Sequence, residues 1–267
     1  MDSPPGKVYL VGAGPGAPDL ITLRGARVLA QADIVFYDAL VHPATLDYAA
    51  RAQKIAVGKR CGTLATAQRF INKRLVDAAH RHRTVVRLKG GDPMLFGRAQ
   101  EEIAALEHAG IQYEIVPGVT AALGAAAQAG VSLTQRGVAR SVAFVTPRVA
   151  PGEAGSAWAA AAAAADTAVI YMGAGQAAGI AAALAAQGAA SDTPVLVIES
   201  ASLPETRQFS LPLSQLPRIA ELGIVGPALV MLGRVFARTS ASVSHESNLE
   251  PLAGLPAFDK RRYNSSF

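Results

Sequence analysis

Through the first half of the chain, short apolar runs alternate with longer segments whose apolar residues recur at helical spacing. Val8 to Val11, Asp33 to Tyr37, Lys54 to Val57, Thr84 to Leu88 and Tyr113 to Val116 read as short buried strands. Between them, Leu20 to Ala30 reads as a helix, with Thr22 placed to cap its start. A shorter helix opens at His42-Pro43 and runs to about Ala50. From Thr66 to about His80, Phe70, Ile71, Leu75 and Ala78 keep helical spacing. Further helices are expected from about Arg98 to Ala109 and over the small residues Ala121 to Ala129. Strands alternating with helices at this spacing predict an α/β fold with a mostly parallel sheet covered on both faces.

The pattern changes near Gly130 to Arg140 and then restarts. Strands are expected at Ser141 to Thr146, Ala168 to Met172, Pro194 to Glu199, Glu205 to Phe209 and Ala228 to Leu232. Helices are expected at Trp158 to Ala165, Gln176 to Gln187 and Gln215 to Leu222. This is a second α/β domain of similar size. The expected organisation is a loose arm over 1–6, an amino-terminal domain over 7–133 and a carboxyl-terminal domain over 134–239. A polar, Ser/Asn/Pro-containing tail follows over 240–267, expected to be disordered.

Several strands of the first half end in loops rich in Gly, Pro, Asp or Lys. In a parallel sheet such ends gather on one edge, where open α/β sheets bind ligands. Lys89-Gly90-Gly91-Asp92-Pro93 is the fullest of these loops. Its glycines let a ligand approach the main chain, Asp92 can accept hydrogen bonds, and Pro93 stiffens the turn. The same loop reads equally as a tight connection that binds nothing. Asp38 and Lys59, each just past a strand, are the acid/base candidates, or else form a surface ion pair. Gly12-x-Gly14-x-x-Ala17 fits the dinucleotide fingerprint. Pro15, Gly16 and Pro18 delay the following helix, however, which works against a pyrophosphate on its N-terminus.

Composition narrows the classes. The net charge is +5, which favours anionic ligands or leaves the charges scattered. Stacking aromatics do not interleave the basic run Arg81-His82-Arg83, so single-strand nucleic-acid binding gains little. One cysteine, Cys61, allows no internal disulfide and no multi-thiolate metal site. It reads as an incidental thiol and suits a cytoplasmic location. The five histidines lack zinc-ligand spacing, so no metal is expected. Neither a signal-peptide pattern nor a long apolar run appears, so no export and no membrane span are expected.

The ordered loops together resemble a known family. The segments are Val11-Gly12-Ala13-Gly14-Pro15-Gly16, Val35-Phe36-Tyr37-Asp38-Ala39-Leu40-Val41, Val57-Gly58-Lys59-Arg60 and Val86-Arg87-Leu88-Lys89-Gly90-Gly91-Asp92-Pro93. Phe96-Gly97-Arg98, Glu101-Glu102, Val116-Pro117-Gly118-Val119-Thr120-Ala121, Leu133-Thr134, Tyr171-Met172-Gly173 and Pro227-Ala228-Leu229 follow. Spread over about residues 7 to 238, they resemble the S-adenosylmethionine-dependent uroporphyrinogen-III C-methyltransferases of the tetrapyrrole methylase superfamily.

The resemblance implies two α/β domains in the tetrapyrrole methylase fold, with the active site in the cleft between them, and a homodimer. It implies two C-methylations of uroporphyrinogen III, through precorrin-1 to precorrin-2, feeding sirohaem or cobalamin synthesis, with S-adenosyl-L-homocysteine as by-product. Cofactor contacts carry over to Pro15, Gly90, Gly91, Asp92, Leu95, Thr120, Ala121, Met172, Ala201 and Ala228. Asp38 matches the family's proposed proton acceptor and Lys59 its proposed donor. Arg24, Arg60, Arg98 and Arg136 are the candidates for pairing with the substrate's eight carboxylates. This chain departs from the family pattern at Ala99-Gln100, Gln135, Pro147-Arg148 and Ala201. It does not contain the dehydrogenase/chelatase module of fused sirohaem synthases, so methylation alone is expected. The rival readings are a methylase of a later corrinoid or of ribosomal RNA, a cofactor-binding pseudo-enzyme, and a dinucleotide oxidoreductase.

Overall fold

In the computed structural model the described residues are 4–57, 64–149, 152 and 155–237. Lys59, Arg60 and Cys61 lie outside them, as do the first three residues of the arm and the tail from residue 240. The described residues through Ala121 form one compact unit and those from Ala122 a second.

The first unit holds strands β1 (Lys7–Gly12), β2 (Ile34–Tyr37), β3 (Gln53–Ala56), β4 (Thr84–Lys89) and β5 (Tyr113–Val116). They form one parallel sheet in the order β3-β2-β4-β1-β5. The chain leaves β1 towards β2 on one side and returns through β4, which passes over β1 to reach β5. The winding therefore reverses between β1 and β4, and the carboxyl ends of those two strands flank the crevice where such sheets take ligands.

Helix α1 (Leu23–Ala30) covers one face, with Leu29 packed among Val11, Val35, Val86, Leu88 and Val116. Helices α2 (Leu64–Ala79) and α3 (Ala99–His108) cover the other, where Leu75 and Leu106 meet Val8, Leu10, Phe36 and Val85. Successive strand residues thus alternate between two buried faces. Thr22 caps α1 as expected, its hydroxyl accepting from the Gly25 N–H at 3.1 Å. The arm is anchored from Gly6, whose N–H donates to Ala79 O at 2.7 Å.

The second unit contains most of helix α4 (Ala121–Ala129), then β6 (Val142–Val145), α5 (Trp158–Ala164), β7 (Thr167–Ile170), α6 (Ala177–Ala186), β8 (Pro194–Glu199), β9 (Arg207–Pro212) and β10 (Ala228–Gly233). Its sheet runs β6-β7-β10-β8-β9, and only β6 and β7 pair in parallel. Because β10 runs against both β7 and β8, the carboxyl ends of β6, β7 and β8 share one edge with the amino end of β10. Ile180 and Leu184 of α6, with Leu213, Leu216 and Ile219, bury one face against Ile170, Val197 and Val230.

Some elements differ from the sequence-based expectation. The helix expected from Leu20 begins as an α-helix only at Leu23, and the short helix expected from His42-Pro43 is a 3-10 segment over Pro43–Ala49. The helix expected at Gln215 to Leu222 is a 3-10 segment over Leu213–Leu222, because Pro217 lies inside it and cannot donate an i→i−4 bond. The strand expected at Glu205 to Phe209 is Arg207–Pro212, set by antiparallel pairing from Glu199↔Arg207 to Pro194↔Pro212. Among the described residues no helix is long and apolar enough to cross a membrane, and no three His, Cys, Asp or Glu residues gather as a metal site.

Candidate active site

Three backbone segments meet at the carboxyl edge of the first sheet. Gly14 and Gly91 form an isolated bridge, with Gly91 N–H donating to Gly14 O at 2.7 Å and Gly14 N–H to Gly91 O at 3.3 Å. Gly91 has φ +67°, a conformation glycine adopts without strain. The Asp92 carboxylate joins the β4 loop to the β5 loop. One oxygen accepts from Met94 N–H at 2.8 Å and the other from Gly118 N–H at 2.9 Å.

Gly118 touches both neighbours so closely that an added Cβ would collide with Gly91 O and lie 2.8 Å from Gly12 Cα. All the atoms it meets are backbone, so no rotamer change relieves the clash. Gly118→Ala is therefore expected to cost about 1–3 kcal/mol of stability through overpacking. It should also weaken any ligand held by the Gly90–Asp92 loop. Thermal melts and ligand titration check this against Gly175→Ala, where a Cβ meets nothing within 4 Å.

The fingerprint reading fails on this geometry. A 3-10 turn, Pro18–Leu20, intervenes before α1, which starts only at Leu23. The Gly12-x-Gly14 turn therefore leads to the bridge with Gly91 and not directly into a helix N-terminus.

Asp38 follows β2 on the same edge. Its Oδ1 accepts from Leu40 N–H at 3.0 Å and from Gly90 N–H at 3.4 Å. Its Oδ2 lies 3.7 Å from Arg87 Nη2. Arg87 and Lys89 alternate along β4 on the face covered by α2 and α3. They are 4% and 3% exposed, and between them sits Glu102 of α3 at 0%. Arg87 Nε donates to Glu102 Oε1 at 3.0 Å and Lys89 Nζ to Glu102 Oε2 at 3.0 Å. Gln68 Nε2 adds a donor to Oε1 at 3.2 Å, and Arg87 Nη1 donates to Leu88 O at 2.9 Å. Burial, and next the Arg87 guanidinium, pull the Lys89 ammonium below the usual lysine range, against the opposing pull of Glu102. Two cations and two carboxylates thus balance in one partly closed cluster.

The second unit gathers its own edge. Met172 follows β7 at φ +56° with 43% of its surface exposed, and Arg148 Nη1 lies 4.0 Å from its sulfur. Ala201 follows β8 between Ser200 and Ser202, at φ +52° and +67°. Ala228 opens β10. With Phe96 and Arg98 after β4, these are the positive-φ residues other than glycine among the described residues. Met172, Ser200 and Ser202 stand just after strands, while Phe96 and Arg98 stand at the end of the β4 loop, Arg98 immediately before α3, and such strain concentrates at functional sites.

The approach to Ala228 is held by Glu199. Its Oε1 accepts from Val225 N–H at 2.8 Å and Gly226 N–H at 2.6 Å, and its Oε2 from Arg207 Nε at 2.6 Å. Burial alone would raise the Glu199 carboxyl. The Gly226 and Val225 N–H groups and Arg207 outweigh it and hold the carboxyl below the usual range.

The structure therefore brings Pro15, Asp38, Gly90, Gly91, Asp92, Leu95, Thr120 and Ala121 to the carboxyl edge of one sheet. It brings Met172, Ala201 and Ala228 to one edge of the other. The arginines are less well gathered. Arg98 forks onto Glu101 of its own helix, at 2.6 Å and 2.8 Å. Arg24 has Glu114 of β5 as its neighbour at 3.8 Å. Arg136 is exposed on the turn closed by Gln135 and Ala139, which leads into the amino end of β6. Arg87, Lys89 and Glu102 are the functional candidates that sequence reasoning missed. The available signal was two charges alternating within a strand expected to be covered on both faces.

The Tetrapyrrole (Corrin/Porphyrin) Methylases family model matches residues 7–217. The chain is 47% identical over 231 residues to a siroheme synthase of Zymomonas mobilis, covering 86% of this chain and 49% of that protein. It is 46% identical over 232 residues to a siroheme synthase of Chromobacterium violaceum, again covering 86% and 49%. The chain spans about half the length of the curated relatives it matches. Among solved structures it is similar to a uroporphyrin-III C-methyltransferase from Thermus thermophilus. The TM-score is 0.76 at 39% identity, covering 86% of this chain and 98% of that one. The Thermus enzyme complexed with S-adenosylhomocysteine gives 0.75 at 39% identity over the same shares. A cobalt precorrin-4 methyltransferase gives 0.74 at 27% identity, covering 86% and 95%.

Proposed function

The chain belongs to the tetrapyrrole (corrin/porphyrin) methylases, and from that membership we propose that it is a uroporphyrinogen-III C-methyltransferase. On this reading it adds two methyl groups to pyrrole carbons of uroporphyrinogen III, giving precorrin-2 through precorrin-1. The product is an intermediate for sirohaem or cobalamin. The observation that carries the reading is the meeting of bare glycine backbone around Asp92, one hydrogen bond from Asp38, at the sheet's winding reversal. A later corrinoid is the second reading, favoured only by the less similar precorrin-4 enzyme.

The residues present fit S-adenosylmethionine. Among the described residues, the position a Gly91 Cβ would take meets Thr120 Cα and Ala121 N, both at 3.8 Å, so that wall is main chain. Each Asp92 oxygen accepts one backbone N–H and keeps capacity for a hydroxyl or ammonium. Met172 offers an exposed, polarizable thioether. Pro15, Gly90, Gly91, Asp92, Leu95, Thr120, Ala121, Met172, Ala201 and Ala228 are the proposed contacts. The cofactor supplies a methyl group activated on a sulfonium.

A pyrrole carbon is nucleophilic enough to attack such a methyl once aligned, so the protein's work is orientation and proton handling. Attack leaves the macrocycle with one positive charge, relieved when a proton departs. Asp38 is the proposed acceptor, and Lys59 the proposed donor. Arg24, Arg60, Arg98 and Arg136 are the proposed partners of the substrate carboxylates, with Arg98 having first to exchange Glu101 for a carboxylate of the substrate. A homodimer in the cytoplasm completes the reading, and sedimentation of the purified protein tests the dimer.

Incubation with uroporphyrinogen III and methyl-labelled S-adenosylmethionine tests the activity. Two labelled methyls per product macrocycle are expected. Unmodified substrate, with precorrin-4 methylated instead, would turn the reading to the corrinoid alternative.

A further inference from the structure

We infer that Arg87 is a positioning residue for Asp38, and that Glu102 sets Arg87 for that purpose. The inference rests on the reading of Asp38 as proton acceptor. A carboxylate that is to take a proton needs one oxygen facing substrate and a fixed torsion. Asp38 is the last side chain before a turn, and its Oδ1 is occupied by the Leu40 and Gly90 N–H groups. Its Oδ2 has the Arg87 guanidinium as its charged neighbour at 3.7 Å. That distance is too long for a full hydrogen bond. It leaves Oδ2 turned towards Arg87 by charge while keeping its lone pairs open to a proton.

Arg87 is not free to swing. Its Nε is taken by Glu102 at 3.0 Å, and its Nη1 by Leu88 O at 2.9 Å and Phe36 O at 3.5 Å. Phe36 is on β2, whose carboxyl end leads directly into Asp38, so the guanidinium is indexed to the backbone that presents the carboxylate. Lys89 holds the second Glu102 oxygen at 3.0 Å, which keeps Glu102 from rotating away. The planar fork of arginine matches this set of acceptors, and a lysine ammonium cannot span them together. The cluster thus passes a fixed direction from α3 through β4 to the end of β2.

The test is a cycle of Arg87→Met, Asp38→Asn and the double variant, with Arg87→Lys beside them. For each, kcat, KM, S-adenosylhomocysteine affinity and melting temperature are measured. Arg87→Met is expected to lower kcat by about ten- to a hundredfold, with KM and S-adenosylhomocysteine affinity little changed. Arg87→Lys should restore part of the loss. In the Asp38→Asn background, Arg87→Met should change kcat no further, because it acts through Asp38. An equal fold-loss in both backgrounds would overturn the inference, as would parallel loss of kcat and cofactor affinity. If Arg87→Met does not fold, Arg87→Lys carries the same cycle. If the unaltered protein transfers no methyl to uroporphyrinogen III, the functional reading fails and the cycle is read in melting temperatures. There a coupled Asp38–Arg87 pair gives non-additive shifts, and strictly additive ones would sink the inference.

Discussion

Asp38→Asn is expected to lower methyl transfer by about 10²–10⁴-fold, the usual contribution of a positioned proton acceptor, while S-adenosylhomocysteine still binds. The substitution separates the chemistry from the structure cleanly. Asparagine keeps a carbonyl oxygen, so the Leu40 and Gly90 N–H groups that now donate to Oδ1 keep an acceptor. What is lost is the negative charge opposite Arg87 and the capacity to take a proton. Arg87 retains Glu102, so no buried cation is left without a carboxylate. Single-turnover methylation and calorimetric titration with S-adenosylhomocysteine read the two properties apart. A variant that methylates at the unaltered rate would remove Asp38 from the mechanism.

Glu102→Ala is expected to destabilise the protein by about 3–5 kcal/mol, the range for removing one partner of a buried ion pair. That is a large share of a typical stability of about 5–15 kcal/mol. The reason is specific to the cluster. Removal leaves Arg87 and Lys89, 4% and 3% exposed, as neighbouring buried cations without Glu102 between them. Lys89 can escape by losing its proton, and burial already pulls its ammonium down. A lysine lowered on folding means that the unfolded chain binds more protons near that range, so stability rises with pH there. In the variant the opposing pull of Glu102 is gone and the lowering is greater. The destabilisation should therefore be largest near neutral pH and shrink as pH climbs towards the ordinary lysine range. Urea unfolding at pH 7 and pH 9 measures it, and a penalty that grows with pH would contradict the assignment.

Much of the first sheet could be read from the residues. β1, β2, β4 and β5 fall where short apolar runs stand between helical spacings, and Thr22 caps α1 as its position suggested. Local signals sufficed because β1, β2 and β4 are largely buried between the two helical layers, which leaves few alternatives for their conformation, while the edge strand β5 is only half-buried before Val116. The order of strands was not legible, since Val8 of β1 pairs with Val85 of β4 across most of the unit. Nor was the mixed second sheet, where β10 inserts between β7 and β8 by long-range pairing. Pro217 was visible and its consequence, a 3-10 segment, follows from the missing N–H.

The site divides along the same line. The sequence by itself determined the loops, Gly12-x-Gly14, Asp38, Gly90-Gly91-Asp92 and Pro117-Gly118, because turn chemistry is local and short-range. It also carried enough ordered motifs to mark the family. Only the tertiary structure decided that Asp92 spends its oxygens joining two loops, and that Arg98 is already paired with Glu101. Only it decided that Arg87, Lys89 and Glu102 are buried together beside Asp38. In the sequence, Arg87 and Lys89 are two ordinary charges and Glu102 is one of a pair opening a helix. Their meaning depends on the 51-residue separation between Phe36 and Arg87 being closed by strand pairing, with α3 packed over both. Charge in water and charge in a closed core differ by a desolvation cost that no local pattern records.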